Sequence, residues 1–84
     1  MPSDTPHETL LTFEYPSSEQ ARRVARALEP EVGDIDDERS RTTLSRTENI
    51  LEVHIVASDI VALRASLNTW LSLADVAERA GAIC

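Results

Sequence analysis

The first regular pattern in the chain is an alternation of apolar and polar side chains over residues 7–15. Thr9, Leu11 and Phe13 share one face, because successive side chains of a strand point to opposite sides. Pro16 follows, and proline cannot donate to a strand ladder. The pattern therefore predicts a strand with one buried face that ends at Tyr15.

A helical pattern follows directly. Ser17 stands three residues before Gln20, the spacing of a capping box, which predicts a helix start at this point. Pro30 disfavours helical backbone at Glu29 and predicts the helix end there. The apolar residues recur at i, i+3, i+4 and i+7 and form one buried stripe: Ala21, Val24, Ala25 and Leu28.

Two further alternating segments, residues 39–46 and 51–56, predict the two strands of a hairpin. Glu48 and Asn49 supply a two-residue turn between them, since asparagine tolerates positive φ. The resulting register sets Leu44 opposite Val53, Thr42 opposite Ile55, Thr43 opposite His54 and Arg41 opposite Val56.

The last pattern is a long helix that Asp59 or Ser58 caps and that runs to about Ala80, before Gly81. The predicted core stripe is Ile60, Leu63, Leu67, Trp70, Leu71, Ala74 and Ala77. At about 100° per residue, the opposite arc carries Ala62, Ala65, Ser66, Thr69, Leu73, Val76 and Ala80. The polar stripe is narrow and comprises Arg64, Asn68, Ser72, Asp75 and Arg79.

A helix that covers one sheet normally shows a broad charged face to water, and this helix does not. We therefore predict that another polypeptide covers it, with Leu73 and Val76 as anchors. The predicted partner interface is Ala62, Ala65, Ser66, Thr69, Leu73, Val76, Arg64 and Asn68. The alternative is an ordinary two-layer monomer whose small residues face water.

The order strand, helix, strand, strand, helix predicts the α+β class. This β-α-β-β-α unit is ferredoxin-like without its last strand, with a three-stranded antiparallel sheet and two helices on one face. The first strand is then an open edge, which favours pairing with another chain. The predicted single domain spans residues 7–81, with a disordered lead-in at 1–6, a solvated acidic loop at 29–38 and a tail at 82–84.

Size makes a partner chain the expected source of stability. With 84 residues, the domain buries only about 60% of the surface that its unfolded chain exposes. Cys84 is the only cysteine, so no intramolecular disulfide forms. His7 and His54 lack further ligands at zinc-binding spacing, and the acidic loop fits no calcium-loop pattern. We expect neither a metal nor a cofactor.

The chain has 15 acidic and 8 basic residues, all of the latter arginine, and a net charge of −7. An acidic chain without lysine is typical of adaptation to a salt-rich cytoplasm. Such salt shortens the Debye length to about 3 Å at 1 M, so the acidity does not exclude a nucleic-acid partner. Candidate RNA contacts are Arg39, Arg41, Arg46, Arg22 and Arg26, with ordinary surface charge as the alternative.

Nothing in the pattern indicates catalysis or a membrane. No Ser-His-Asp or Cys-His set has a recognisable spacing, and two glycines make no phosphate loop. No apolar run approaches the roughly 20 residues of a membrane span, and the N-terminus has no signal-peptide pattern. We predict a non-enzymatic, cytoplasmic chain without a membrane partner.

The second helix carries a family resemblance. Asp59-Ile-Val-Ala-Leu-Arg-Ala-Ser-Leu-Asn-Thr-Trp-Leu71, followed by Val76-Ala-Glu78, resembles the signature of the KEOPS small subunit, the family with cancer/testis-antigen-like homologues. The junction Phe13-Glu-Tyr-Pro-Ser-Ser18 and the segment Ala27-Leu-Glu-Pro30 are similar to its first half. The resemblance covers roughly residues 8 to 80.

This resemblance implies a three-stranded antiparallel sheet with two helices and a homodimer. It implies that each protomer docks a helical pair of the catalytic threonylcarbamoyltransferase subunit, so that the dimer bridges two catalytic arms. The complex modifies the adenosine beside the tRNA anticodon, and its small subunit supports architecture and tRNA engagement without a catalytic residue. Arg64 and Asn68 match the family's arginine and asparagine in this helix. A stand-alone RNA-binding module and a ligand-sensing regulatory module of ferredoxin-like form are the alternatives.

Overall fold

The computed structural model describes residues 7–33 and 39–83, with side chains to Ala80. Its elements are strand β1 (His7–Glu14), helix α1 (Ser18–Leu28), strands β2 (Ser40–Thr47) and β3 (Ile50–Ala57), and helix α2 (Ile60–Ile83). A 3₁₀ turn, Glu29–Glu31, follows α1. The predicted lead-in, residues 34–38 of the acidic loop and Cys84 lie outside the described residues.

The three strands form an antiparallel sheet in the order β1-β3-β2, which confirms the predicted α+β fold. The predicted hairpin register is also confirmed, with Leu44 opposite Val53. In this order β2 is an edge strand as well as β1, so the sheet presents two edges to other chains within the part of the chain that the structure describes.

The hairpin turn uses its two residues differently from the prediction. Glu48, not Asn49, has the positive φ, at 55°. The Asn49 side-chain amide instead donates to the Tyr15 carbonyl oxygen at 2.9 Å, and the Tyr15 N–H donates to the Asn49 carbonyl oxygen at 3.0 Å. Asn49 therefore links the hairpin turn to the end of β1 through two hydrogen bonds with Tyr15.

Side-chain caps fix where both helices begin. The Ser17 hydroxyl accepts from the Gln20 N–H at 3.1 Å, as predicted. Asp59, and not Ser58, caps α2 by accepting from the Ala62 N–H at 2.7 Å. The predicted helix end before Gly81 and the tail at 82 are wrong, because α2 continues to Ile83. One glycine weakens a helix by only about 1 kcal/mol relative to alanine, and no proline follows to break it.

The core lies between the helices and one face of the sheet. The inward side chains of the central strand, Leu51, Val53 and Ile55, are at most 1% exposed. The predicted stripe of α1 is confirmed as buried, and it comprises Ala21, Val24, Ala25 and Leu28. This core covers the inner face of β3 fully but leaves the two edge strands only partly covered.

Most of the predicted core stripe of α2 is confirmed: Trp70, Ala74 and Ala77 are buried, and Leu63 and Leu67 pack partly buried against the core. The helix also buries Ala62 and Ser66. Ile60 and Leu71, which we expected in the core, are 50% and 44% exposed. The helix is thus rotated by roughly 50° about its axis from the expected orientation. Small residues on both sides of Trp70 let α2 approach the sheet, where the indole N–H donates to the Thr42 hydroxyl at 3.1 Å.

Candidate interaction surfaces

Polar contacts between distant residues fix both ends of α2. Near its start, the Arg39 guanidinium donates to both carboxylate oxygens of Asp59 over 2.9 to 3.1 Å. These bonds, followed by the one from the Ala62 N–H, hold the pKa of Asp59 below its usual value. Near the other end, the Tyr15 hydroxyl donates to Glu78 Oε2 at 2.8 Å, and burial together with Glu78 raises the pKa of Tyr15. The surface that α2 presents is therefore well defined.

The outer surface of α2 retains part of the predicted partner interface. The exposed members are Ala65, Thr69, Val76, Arg64 and Asn68. Ala62 and Ser66 are only 8% and 5% exposed, and Leu73 packs partly buried against the core. Their assignment to the outward arc was wrong, because the helix is rotated towards them. A role of the exposed members in binding a partner stays a prediction.

Among the residues that the structure describes, the buried Ser66 hydroxyl has no hydrogen-bond partner. It lies at a cleft of about 160 Å³ between the start of β2 and α2, which Ser40, Ala62 and Thr69 also line. The Thr69 hydroxyl is satisfied, since it donates to the Ala65 carbonyl oxygen at 2.9 Å. An unpartnered buried hydroxyl costs roughly 1–3 kcal/mol, so Ser66 weakens the fold at this position.

The five candidate arginines occupy three places. Arg22, Arg26 and Arg46 line one cleft of about 280 Å³ between α1 and β2. Arg39 is held in its ion pair at the start of α2. Arg41 lies on the outer face of the sheet, across from Val56. The structure therefore brings three of the five together and separates the other two.

Arg41 shares the outer face of the sheet with three acidic residues. Register places Glu8, Glu14 and Glu52 on this same face. His54 Nε2 lies 2.6 Å from Glu8 Oε1 on this face. Phosphate groups are repelled by such a face, which leaves the α1–β2 cleft as the basic surface of interest.

The comparison with known families decides what this domain is. A family model described as "Transcription factor Pcc1" matches residues 8–81. The chain belongs to the Pcc1 family. Pcc1 is a subunit of the KEOPS complex, so the resemblance carried by residues 59–71 is confirmed. No curated protein sequence matches the chain.

Solved structures show the same Pcc1-type fold. One chain from the crystal structure of a binary Gon7–Pcc1 complex superposes with a TM-score of 0.81. It is 17% identical in sequence, and the match covers 92% of this chain and 94% of that one. At this identity the likeness shows the fold, and it agrees with the strand order and helix placement described above.

Sequence reasoning missed three large apolar residues on the surface of this Pcc1-family domain. Ile60, Val61 and Leu71 are 50%, 64% and 44% exposed. The signal was available, because Ala62, Ser66, Trp70, Ala74 and Ala77 recur at helical spacing around the largest side chain of α2. We call the exposed surface of α2 its outer face: Ile60, Val61, Arg64, Ala65, Asn68, Thr69, Leu71, Ser72, Asp75, Val76, Arg79 and Ala80.

The described residues show neither a membrane-spanning helix nor a metal-binding cluster. None of their helices combines the length and apolar character needed to cross a lipid bilayer. Across the same ranges, no three His, Cys, Asp or Glu side chains group closely enough to hold a metal ion.

Proposed function

We propose that this Pcc1-family chain is a non-catalytic assembly subunit of the KEOPS complex in the cytoplasm. It forms a homodimer that bridges two catalytic threonylcarbamoyltransferase subunits and supports tRNA binding for modification of the adenosine next to the anticodon. The outer face of α2 is the observation that carries this proposal. The family match favours it over a stand-alone RNA-binding module or a ligand-sensing module.

The outer face combines the features of a helix-docking surface. Four large apolar side chains on α2 are 44% to 64% exposed, and Val61 and Val76 are the most exposed of them. Two of the charged residues neutralise each other, since Arg79 Nη2 lies 3.2 Å from Asp75 Oδ2. Burying what remains exposed of two such apolar side chains contributes roughly 2–4 kcal/mol before association costs.

The shape of the outer face suits a helical partner. Helix α2 has 24 residues, which gives it a length of about 36 Å. Ala65 and Thr69 are one turn apart on it and are small enough for another helix to approach closely. In the solved binary complex of Gon7 with Pcc1, a protein of this fold is bound to a second chain. That precedent supports a protein–protein role for this chain.

We expect Val76→Glu and Ala65→Glu each to abolish co-purification with the catalytic subunit. A glutamate at either position places an unpaired charge in the docked interface and leaves the core untouched, since both residues are exposed. The measurement is affinity purification from a co-expressing host at the salt concentration of the native cytoplasm.

Ala27→Glu is the matched control, because Ala27 is an exposed alanine on α1. It is expected to co-purify normally, and circular dichroism should show unchanged thermal unfolding for all three variants. Normal recovery of the catalytic subunit with both Val76→Glu and Ala65→Glu would remove α2 as the docking surface.

The edge of β1 is the better candidate for homodimerisation. Leu10 is 53% exposed on its outer side, and Leu11 and Phe13 are only partly buried on its inner side. The described residues of β2 include no comparably exposed large apolar side chain, since Leu44 is partly buried against the core. Antiparallel pairing of β1 with a second copy would join two three-stranded sheets and cover these apolar side chains.

Leu10→Glu is expected to convert the dimer into a monomer, because two such strands would bring several carboxylates together. Thr43→Glu is the matched control, since Leu10 and Thr43 flank the same residue, His54, from opposite edges of the sheet. Light scattering at native salt should report half the mass for Leu10→Glu and the full dimer mass for Thr43→Glu. A Leu10→Glu protein that stays dimeric would place the dimer interface elsewhere.

A further inference from the structure

We propose that the cleft between α1 and β2 binds the phosphate backbone of an RNA strand through Arg22, Arg26 and Arg46. The inference rests on the proposed function, which brings tRNA to the assembled complex, and it assigns part of that RNA contact to this chain. It concerns a surface distinct from the outer face of α2 and from the β1 edge.

The fold brings the three guanidinium groups together from two elements. Arg22 and Arg26 are four residues apart on α1, so they project from the same side of the helix. Arg46 reaches the same cleft from β2, the strand that α1 packs beside. Arg46 is thus brought beside Arg26, which is 20 positions earlier in the sequence, and the three arginines form one basic surface in a chain whose net charge is −7.

Within the described part of the chain, these three guanidinium groups form no ion pairs with carboxylates. Arg22 and Arg26 are exposed, and neither has a hydrogen bond or ion pair there. Arg46 donates one N–H to the Glu48 carbonyl oxygen at 2.8 Å, which orients its guanidinium and leaves other donors. Glu29 also lines the cleft, so three positive groups face one carboxylate among the described residues.

The lining favours a nucleic acid over an acidic protein segment. A protein partner is normally anchored by buried apolar or aromatic contacts. Here the apolar lining is limited to the buried Ala25 and the partly buried Leu44, beside Ser45 and the arginines. Surfaces that bind nucleic acids are polar and rich in positive charge, and guanidinium groups match phosphate oxygens in pairs.

The two other candidate arginines are poorly placed for the same contact. Arg39 is engaged with Asp59 through hydrogen bonds of 2.9 to 3.1 Å. Arg41 shares the outer face of the sheet with Glu8 and Glu52. An RNA strand is therefore expected to follow the inner side of the β2 edge, past α1, and not the outer face of the sheet.

The test is a nuclear magnetic resonance titration of the full, isotopically labelled chain with an in-vitro transcribed tRNA at about 0.15 M salt, where the Debye length is about 8 Å. The side-chain N–H signals of Arg22, Arg26 and Arg46 are expected to shift together. The double variant Arg22→Gln/Arg26→Gln is expected to weaken binding about tenfold or more. It should also lower the slope of log affinity against log salt by about 0.7 per lost contact.

Arg23→Gln/Arg41→Gln is the matched control, since it removes the same charge at exposed positions outside the cleft. It is expected to bind like the unchanged chain. Equal weakening by both double variants, or tRNA-induced shifts that avoid the three arginines or do not occur, would overturn the proposal. The same titration is repeated with inorganic phosphate and with a hexaglutamate peptide. If either shifts the three arginine signals at a lower concentration of phosphate or carboxylate groups than tRNA does, the proposal is also overturned. The titration uses no catalytic subunit, so its failure is distinguishable from failure of the docking experiment.

Discussion

Trp70→Ala is expected to lower the free energy of unfolding by about 3–5 kcal/mol. Trp70 is 1% exposed and is the largest fully buried side chain. Its loss opens a cavity between α2 and the sheet and removes the donor of the hydrogen bond to Thr42. A chain of this length has a total stability of only about 4–13 kcal/mol, so the variant should be largely unfolded at moderate urea concentrations.

Urea denaturation followed by circular dichroism measures this effect, because the chain has no other tryptophan to serve as a fluorescent probe. Trp70→Phe is the informative control. It keeps most of the apolar volume and loses the N–H, so its stability is expected to lie between those of the unchanged chain and Trp70→Ala. A Trp70→Ala chain that unfolds at the unchanged midpoint would contradict the central position of this side chain.

Leu28→Ala is expected to lower the free energy of unfolding by about 2–5 kcal/mol, whereas Leu71→Ala is expected to change it by less than about 1 kcal/mol. Leu28 is 1% exposed on α1, and Leu71 is 44% exposed on α2. Both residues are in helices, so the intrinsic helix preference of the two substitutions is the same and burial alone separates them.

This pair tests the rotation of α2 directly. The sequence pattern placed both leucines in the core and predicts equal losses, whereas the structure predicts unequal ones. Chemical denaturation of the two variants side by side is sufficient, at a concentration where the oligomeric state is unchanged. A loss for Leu71→Ala that matches that for Leu28→Ala would mean that Leu71 lies in the core.

The strands, the caps and the hairpin register followed from the sequence because local chemistry determines them. A two-residue turn and an alternation of period two leave one register that buries Leu44 and Val53 together. Ser17 caps α1 because its hydroxyl reaches the N–H of the third residue onward. None of these features depends on how the layers pack.

The orientation of α2 depended on packing and was predicted only in part, since Ile60 and Leu71 are exposed. A helix with apolar residues on more than one side satisfies several amphipathic stripes equally well. Tertiary contacts select which of these stripes is buried. The Trp70 indole N–H donates to the Thr42 hydroxyl, and the alanines beside Trp70 permit close contact with the sheet. That Arg46 and Arg22 line the same cleft could not be predicted either. Their spacing along the chain carries no information about how α1 packs beside β2.

The pairing of β1 with β3 constrains how the newly made chain acquires its structure. Glu8 finds its cross-strand neighbour at Val56, and Tyr15 bonds to Glu78 across 63 positions. Until β3 has been synthesised, β1 has no strand to pair with, and its Leu11 and Phe13 stay uncovered. Such late closure makes folding slow and exposes the nascent protein to association.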